Sequence, residues 1–176
     1  LRPVLLLAAC DLFDGDCNQA LNAAIGIEIF HNFTLLHDDI MDKSAMRRGK
    51  ETVYKRWNEN IAILSGDTMF AMAYRYFLKT PHSNLHQILD VFTETAIDVC
   101  NGQQYDMDFE TQSDVSLTEY LTMIRKKTAV LLAGALKIGS LYANCSETDR
   151  EHLYEFGINI GLAFQLQDDL LDSFGD

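Results

Sequence analysis

The chain has 176 residues, long enough for one domain with a sizeable core, and 48% of them are hydrophobic, which excludes general disorder. A net charge of −12 and a pI of 4.7 argue against nucleic acid as a partner, because a phosphate backbone demands an excess of Lys and Arg. No apolar run reaches the roughly 18 to 20 residues that span a bilayer, and the four cysteines (Cys10, Cys17, Cys100, Cys145) lack both CxxC spacing and disulfide density. They read as free thiols in a reducing cytoplasm.

Leu5 to Cys10 has the look of a lipoprotein signal ending in a lipidated cysteine, but Arg2 is its only charge, Pro3 interrupts the approach and the run is too short. A buried helix is expected there instead. Beyond it, apolar residues recur at helical spacing, and Pro3 and Pro81 are the only prolines. The first long helix is predicted from Cys17 or Asn18 through Asp42, carrying Leu21, Ile25, Ile29, Phe33 and Leu36. A basic loop follows. The next helix spans Glu59 to Leu78 and stops before Pro81, and a third occupies Asn84 to Phe109. Ser116-Leu117-Thr118-Glu119 has the capping-box form and opens a helix through Tyr142. Ser146-Glu147-Thr148-Asp149, a weaker acidic version, opens the last helix, to Ser173. The expected architecture is all-α: a single domain over 1–176, a bundle of long, mostly antiparallel helices, each roughly 37 Å long at 1.5 Å per residue, around a central cavity.

The chemistry lies in a repeated pattern, Asp38-Asp39-Ile40-Met41-Asp42 and Asp168-Asp169-Leu170-Leu171-Asp172. On a helix, Asp38 shares a face with Asp42, and Asp168 with Asp172, about 6 Å apart; like charges so placed destabilise the helix by a few tenths of a kcal/mol. A bound cation reverses the sign. One such motif is as readily an acidic solvated face, whereas two inside apolar stretches favour a ligand. Hard carboxylate oxygens without a cysteine or a histidine trio suit Mg²⁺, which takes one or two carboxylates plus phosphate oxygens. Of the fourteen Lys and Arg residues, six lie between Lys43 and Arg56, and Arg125, Lys126 and Lys127 form a second group. Elsewhere such runs are solvated surface, but the first begins one residue after an Asp motif, which favours anion capture. There is no G-x-x-x-x-G-K-[ST] loop, no G-x-G-x-x-G turn and no evident nucleophile setting, and ionisation of a diphosphate ester needs none of them. Metal and guanidinium would draw charge from the leaving oxygen, leaving a carbocation in an apolar interior.

Phe30-His31 through Asp42, Met46-Arg47-Arg48-Gly49, Gly66-Asp67, Gly102-Gln103-Gln104-Tyr105-Asp106, Lys127-Thr128-Ala129 and Phe164 to Asp169 together resemble the ordered motifs of the trans-type polyprenyl (isoprenyl) diphosphate synthases. The resemblance covers nearly the whole chain. It implies an isoprenoid-synthase-like fold and condensation of an allylic diphosphate with isopentenyl diphosphate, in a cytoplasmic homodimer. It further implies that Asp38, Asp42 and Asp168 ligate three Mg²⁺ ions, with Asp172 and Asp39 supporting. Arg47 would bind the allylic diphosphate, and Arg48, His31 and Arg2 the isopentenyl one. Lys127, Thr128 and Gln165 would hold the leaving group and steady the cation, with Asp106 behind them. Leu1 begins just after the family's Gly-Gly-Lys, and Asp176 precedes its C-terminal helices, so a fragment of a longer protein is expected.

Spacing adds to this. His31 precedes Asp38 by two helical turns and shares its face, and Gln165 sits three residues before Asp168. Lys127 and Thr128, by spacing alone, are equally surface residues. Phe33, five residues before Asp38 and about 7.5 Å down the axis, is either ordinary core or the wall against which a growing tail presses. In the family that the chain resembles, bulk near there limits product length, so the resemblance implies a product of fifteen or twenty carbons, and the small Thr34 weakens a strict fifteen-carbon limit. The rivals are a metal phosphohydrolase built on His31, His37 and Asp38, a terpene cyclase, and a catalytically impaired binding or regulatory subunit of the same fold. The first lacks further histidine ligands, because His82, His86 and His152 stand apart, and the second lacks its Asn/Ser/Glu triad.

Overall fold

The computed structural model describes residues 1–175. Helices form where the apolar periodicity and the caps place them. The first, α1 (Arg2–Asp11), has Pro3 in its first turn, where the missing N–H is no loss. Leu6, Ala9 and Cys10 are buried, as the expectation of a buried helix requires. The long α2 spans Cys17–Met41, one residue short of the predicted end; Asp42 N–H still donates to the Asp38 carbonyl at 2.9 Å. Asn58 caps α4 (Glu59–Phe77) by accepting from the Ile61 N–H at 2.9 Å. The helix α5 covers Leu85–Phe109, and α8 covers Glu147–Phe174, with the Ser146 hydroxyl accepting from the Asp149 N–H. Among the described residues no helix is long and apolar enough to cross a membrane.

Two expectations need correction. The basic loop contains a minimal hairpin, β1 (Met46–Arg47) antiparallel to β2 (Lys50–Glu51), and a short helix α3 (Val53–Arg56). Its two-residue turn, Arg48-Gly49, has φ of 52° and 75°; positive φ at both positions is what a tight hairpin with the right-handed strand twist demands. The helix predicted from Ser116 to Tyr142 is interrupted. It begins with the full capping box as α6 (Leu117–Ile124), widens into a π-helical turn over Arg125–Ala129, and resumes as α7 (Val130–Tyr142). The Val130 N–H reaches back to the Arg125 carbonyl, an i to i+5 bond that inserts one extra residue.

The chain divides into two compact units. One comprises Leu1–Ala20 and His82–Asp176, the other Leu21–Pro81. In the first, α7 is the core: every residue is buried except Lys137, the signature of a helix surrounded by others. Close approach depends on missing side chains, and a Cβ on Gly139 would stand 2.0 Å from the Leu6 carbonyl oxygen of α1. The second unit packs α2 on α4, where Phe30 and Phe33 meet Phe70 and Gly26 lies against Ala73 and Phe77.

All four cysteines are free. Burial, then Cys17 and the carboxylates of Asp16 and Asp11, push the Cys10 thiol up to about 12 from an ordinary value of 9.0. An acid held neutral in the native state stabilises it fully below pH 9.0, and that contribution is lost as the pH rises through 9.0 toward about 12, because only the unfolded chain gains by ionising. Urea midpoints should therefore fall less steeply between pH 8 and pH 10 in Cys10→Ala than in wild type. Parallel slopes would refute the assignment.

Candidate active site

The first acid motif closes α2, and the hairpin that follows turns Arg47 back onto it. The Arg47 guanidinium donates from Nε to Asp39 at 2.6 Å and from Nη2 to Asp38 at 2.9 Å. Asp39 is buried and the other two partners are partly so. Burial alone would favour losing the arginine's proton, but the bonds and charges of Asp39 and Asp38 outweigh it and raise the group's proton affinity above its ordinary value. One planar fork thus offsets two adjacent carboxylates, a task that a lysine's point charge performs less well. Asp42 is exposed, as is Arg48 at the hairpin tip.

One turn below the motif, an aromatic cluster fills the α2–α4 seam. Phe33 stacks on Phe70 (centroids 5.1 Å, 19° between planes) and touches Phe30 at 5.4 Å and His37 at 4.7 Å. Of the two roles open to Phe33, core packing is thus observed. Thr34 donates its hydroxyl to the His31 carbonyl at 2.8 Å, and both residues are half-buried. The Gly66-Asp67 motif has a steric reason: a Cβ on Gly66 would lie 2.1 Å from His37 Nε2, which instead rests 3.2 Å from the Ile63 carbonyl.

In the other unit the π turn presents consecutive side chains to neighbouring helices. Lys126 bonds Asp98 on α5, and Lys127 Nζ bonds Asp106 Oδ2 at 2.5 Å. Asp98 and Asp106 lie eight residues apart on one face of α5, with Gly102 midway between them, so the widened turn lets two successive lysines engage the same face. A Cβ on Gly102 would meet the Lys127 backbone nitrogen at 2.2 Å. Thr128 donates to Gln165 Oε1 at 2.9 Å, Gln165 Nε2 donates to Asp169 Oδ1 at 2.8 Å, and the Tyr120 hydroxyl donates to Asp169 Oδ2. Lys127, Thr128 and Asp106 are half-buried, not the surface groups that their spacing alone allowed. Asp168 and Asp172 are exposed on α8, and Arg2 is half-buried in the first turn of α1.

The structure therefore brings Asp38 to Arg47, Lys127 to Asp106 and Thr128 to Gln165. Among the described residues no three His, Cys, Asp or Glu side chains are arranged to hold a metal by themselves, and that is compatible with an ion that completes its shell with substrate oxygens. Sequence reasoning missed Tyr120, Asp98 and Phe70. Phe70 had a signal in the stripe Gly66, Phe70, Tyr74 along one face of α4, whereas Tyr120 and Asp98 had none.

A mainly helical chain carrying two Asp-rich helix segments and basic partners belongs to the class of isoprenoid-synthase folds. The polyprenyl synthetase family model matches residues 1–176, and the chain belongs to that family. It is 43% identical to a geranylgeranyl diphosphate synthase of Methanosarcina mazei, over 98% of this chain and 54% of that protein. It is 42% identical to a geranylfarnesyl diphosphate synthase of Natronomonas pharaonis, over 98% and 56%. A solved geranylgeranyl pyrophosphate synthase superposes with a TM-score of 0.96 at 53% identity, covering 99% of this chain and 54% of that one. The chain spans about half the length of the curated relatives it matches.

Proposed function

We propose that the protein is a prenyltransferase that condenses isopentenyl diphosphate with an allylic diphosphate, acting in the cytoplasm as a homodimer. The observation that carries this reading is the Arg47 fork on the first acid motif. It is a preformed pairing of guanidinium and carboxylates of the kind a metal diphosphate requires, in a chain of the polyprenyl synthetase family. The donor set is hard oxygen, with Asp38 and Asp42 in one motif and Asp168 and Asp172 in the other, which suits Mg²⁺ sharing its shell with diphosphate. Bound Mg²⁺ supplies charge that draws electrons from the ester oxygen. Arg47 binds the allylic diphosphate, and Arg48, with His31 and Arg2, the isopentenyl one. Lys127, steadied by Asp106, and Thr128 hold the leaving group, and the Gln165 carbonyl dipole stabilises the allylic cation. Incubating the full chain with isopentenyl diphosphate, Mg²⁺ and radiolabelled allylic primers, then sizing the products, tests this. No elongation from any primer would defeat it.

The product we propose has fifteen or twenty carbons, consistent with the geranylgeranyl name of the Methanosarcina relative, because Phe33 and Phe70 stack into a rigid wall one turn below Asp38. Phe33→Ala should lengthen the product while costing about 3–5 kcal/mol of stability. Phe33→Leu, which keeps more of the volume, should lengthen it less and fold better. An unchanged product from both variants removes Phe33 from chain-length control.

A further inference from the structure

Gln165 is a side chain with two chemically different ends, and what faces each end decides its orientation. An ionised carboxylate only accepts, so the Gln165 end that meets Asp169 is the nitrogen, and the carbonyl oxygen is left for Thr128, whose hydroxyl donates to it at 2.9 Å. That assignment holds only while Asp169 keeps its rotamer. One of its oxygens is taken by Gln165; the other receives the Tyr120 hydroxyl from α6. Both oxygens of Asp169 thus carry a donor, and its exposure is only partial, while Asp168 and Asp172 on either side stand in solvent. Within the second acid motif the middle carboxylate is an internal brace, and Tyr120 is its far support. Tyr120 lies about two helical turns before Thr128, which sits in the π turn, so the four side chains Tyr120, Asp169, Gln165 and Thr128 join α6, α8 and the π turn in one hydrogen-bonded series.

We propose that Tyr120 is a positioning residue: by holding Asp169, its hydroxyl fixes the Gln165 amide with the carbonyl oxygen turned toward Thr128. This deepens the prenyltransferase reading and rests on it for its kinetic consequence, since an amide free to flip presents N–H donors, which repel a cation, for half of its orientations. Partners of this outer kind are commonly worth 10-fold to 100-fold in activity.

Tyr120→Phe in the full chain removes the hydroxyl and keeps the ring. The expected result is kcat lowered roughly 10-fold, with KM for isopentenyl diphosphate within about twofold and far-UV circular dichroism unchanged. Because Tyr120 acts through Gln165, the double variant Tyr120→Phe with Gln165→Ala should be no slower than Gln165→Ala alone. Effects that multiply would overturn the proposal, as would a kcat equal to wild type. If the full chain elongates no primer, the activity reading fails, and the side-chain amide of Gln165 decides the positioning claim by NMR. Its NH₂ resonances should shift and exchange faster with solvent in Tyr120→Phe, and unchanged resonances would overturn it.

Discussion

On the proposed prenyltransferase reading, replacing Asp38 with Asn should lower the rate by about 100-fold to 1000-fold, the size of loss that follows removal of one preorganised electrostatic group, while far-UV circular dichroism and the thermal midpoint change little. The geometry separates the two effects. Arg47 loses the charge of its 2.9 Å partner but keeps Asp39, which is buried and held at 2.6 Å, so no guanidinium is stranded. The isosteric amide still fills the place of the carboxylate and removes one of three clustered carboxylates at the end of α2, which slightly relieves the helix. Titration of inorganic diphosphate with Mg²⁺ by calorimetry should show weakened binding in the same variant. A variant that unfolds would make Asp38 structural, and one that binds and elongates normally would remove the first motif from the site.

Gly102→Ala is expected to impair folding and activity together. The new methyl would sit 2.2 Å from the Lys127 backbone nitrogen and 2.6 Å from the Lys126 carbonyl carbon, and backbone cannot step aside as a flexible side chain can. Overpacking of this kind costs about 1–3 kcal/mol and at times more, and a domain of this size loses roughly 2–4 °C of its midpoint per kcal/mol. The midpoint should therefore fall by roughly 2–12 °C. Activity should fall further than stability explains, because the displaced π turn carries Lys127 away from Asp106 and Thr128 away from Gln165. Measuring kcat well below the midpoint, where the variant is folded, isolates that second loss. A variant as stable as wild type would show that α5 and the π turn part easily.

Much of the molecule is written in signals that span one helical turn. The Ser116–Glu119 box caps α6 with both reciprocal bonds, and Pro81 lies beyond the end of α4; the length of α2 was legible too, but Leu21 and Ile25 of its predicted stripe are exposed while Ala23, Ala24, Ile27 and Phe30 are buried. His31 sharing a face with Asp38 follows from the same arithmetic. The π turn was not legible, because Arg125 to Ala129 read as ordinary helix formers, and the extra residue is accommodated only where Gly102 lets α5 approach. The hairpin was missed for a related reason: Arg48-Gly49 has one glycine where a tight turn needs two residues of positive φ, and Arg48 accepts the strain at 52°.

By itself the sequence determined the mainly helical character, the helix limits to within a residue or two and the residue types of the candidate site, since each depends on neighbours one turn away along the chain. Only the tertiary structure decided which groups meet. That Arg47 lies on Asp38 and Asp39, that Lys127 finds Asp106, and that Tyr120 reaches Asp169 across 49 residues depend on the path of the backbone between them, which no local pattern of apolar and charged residues encodes.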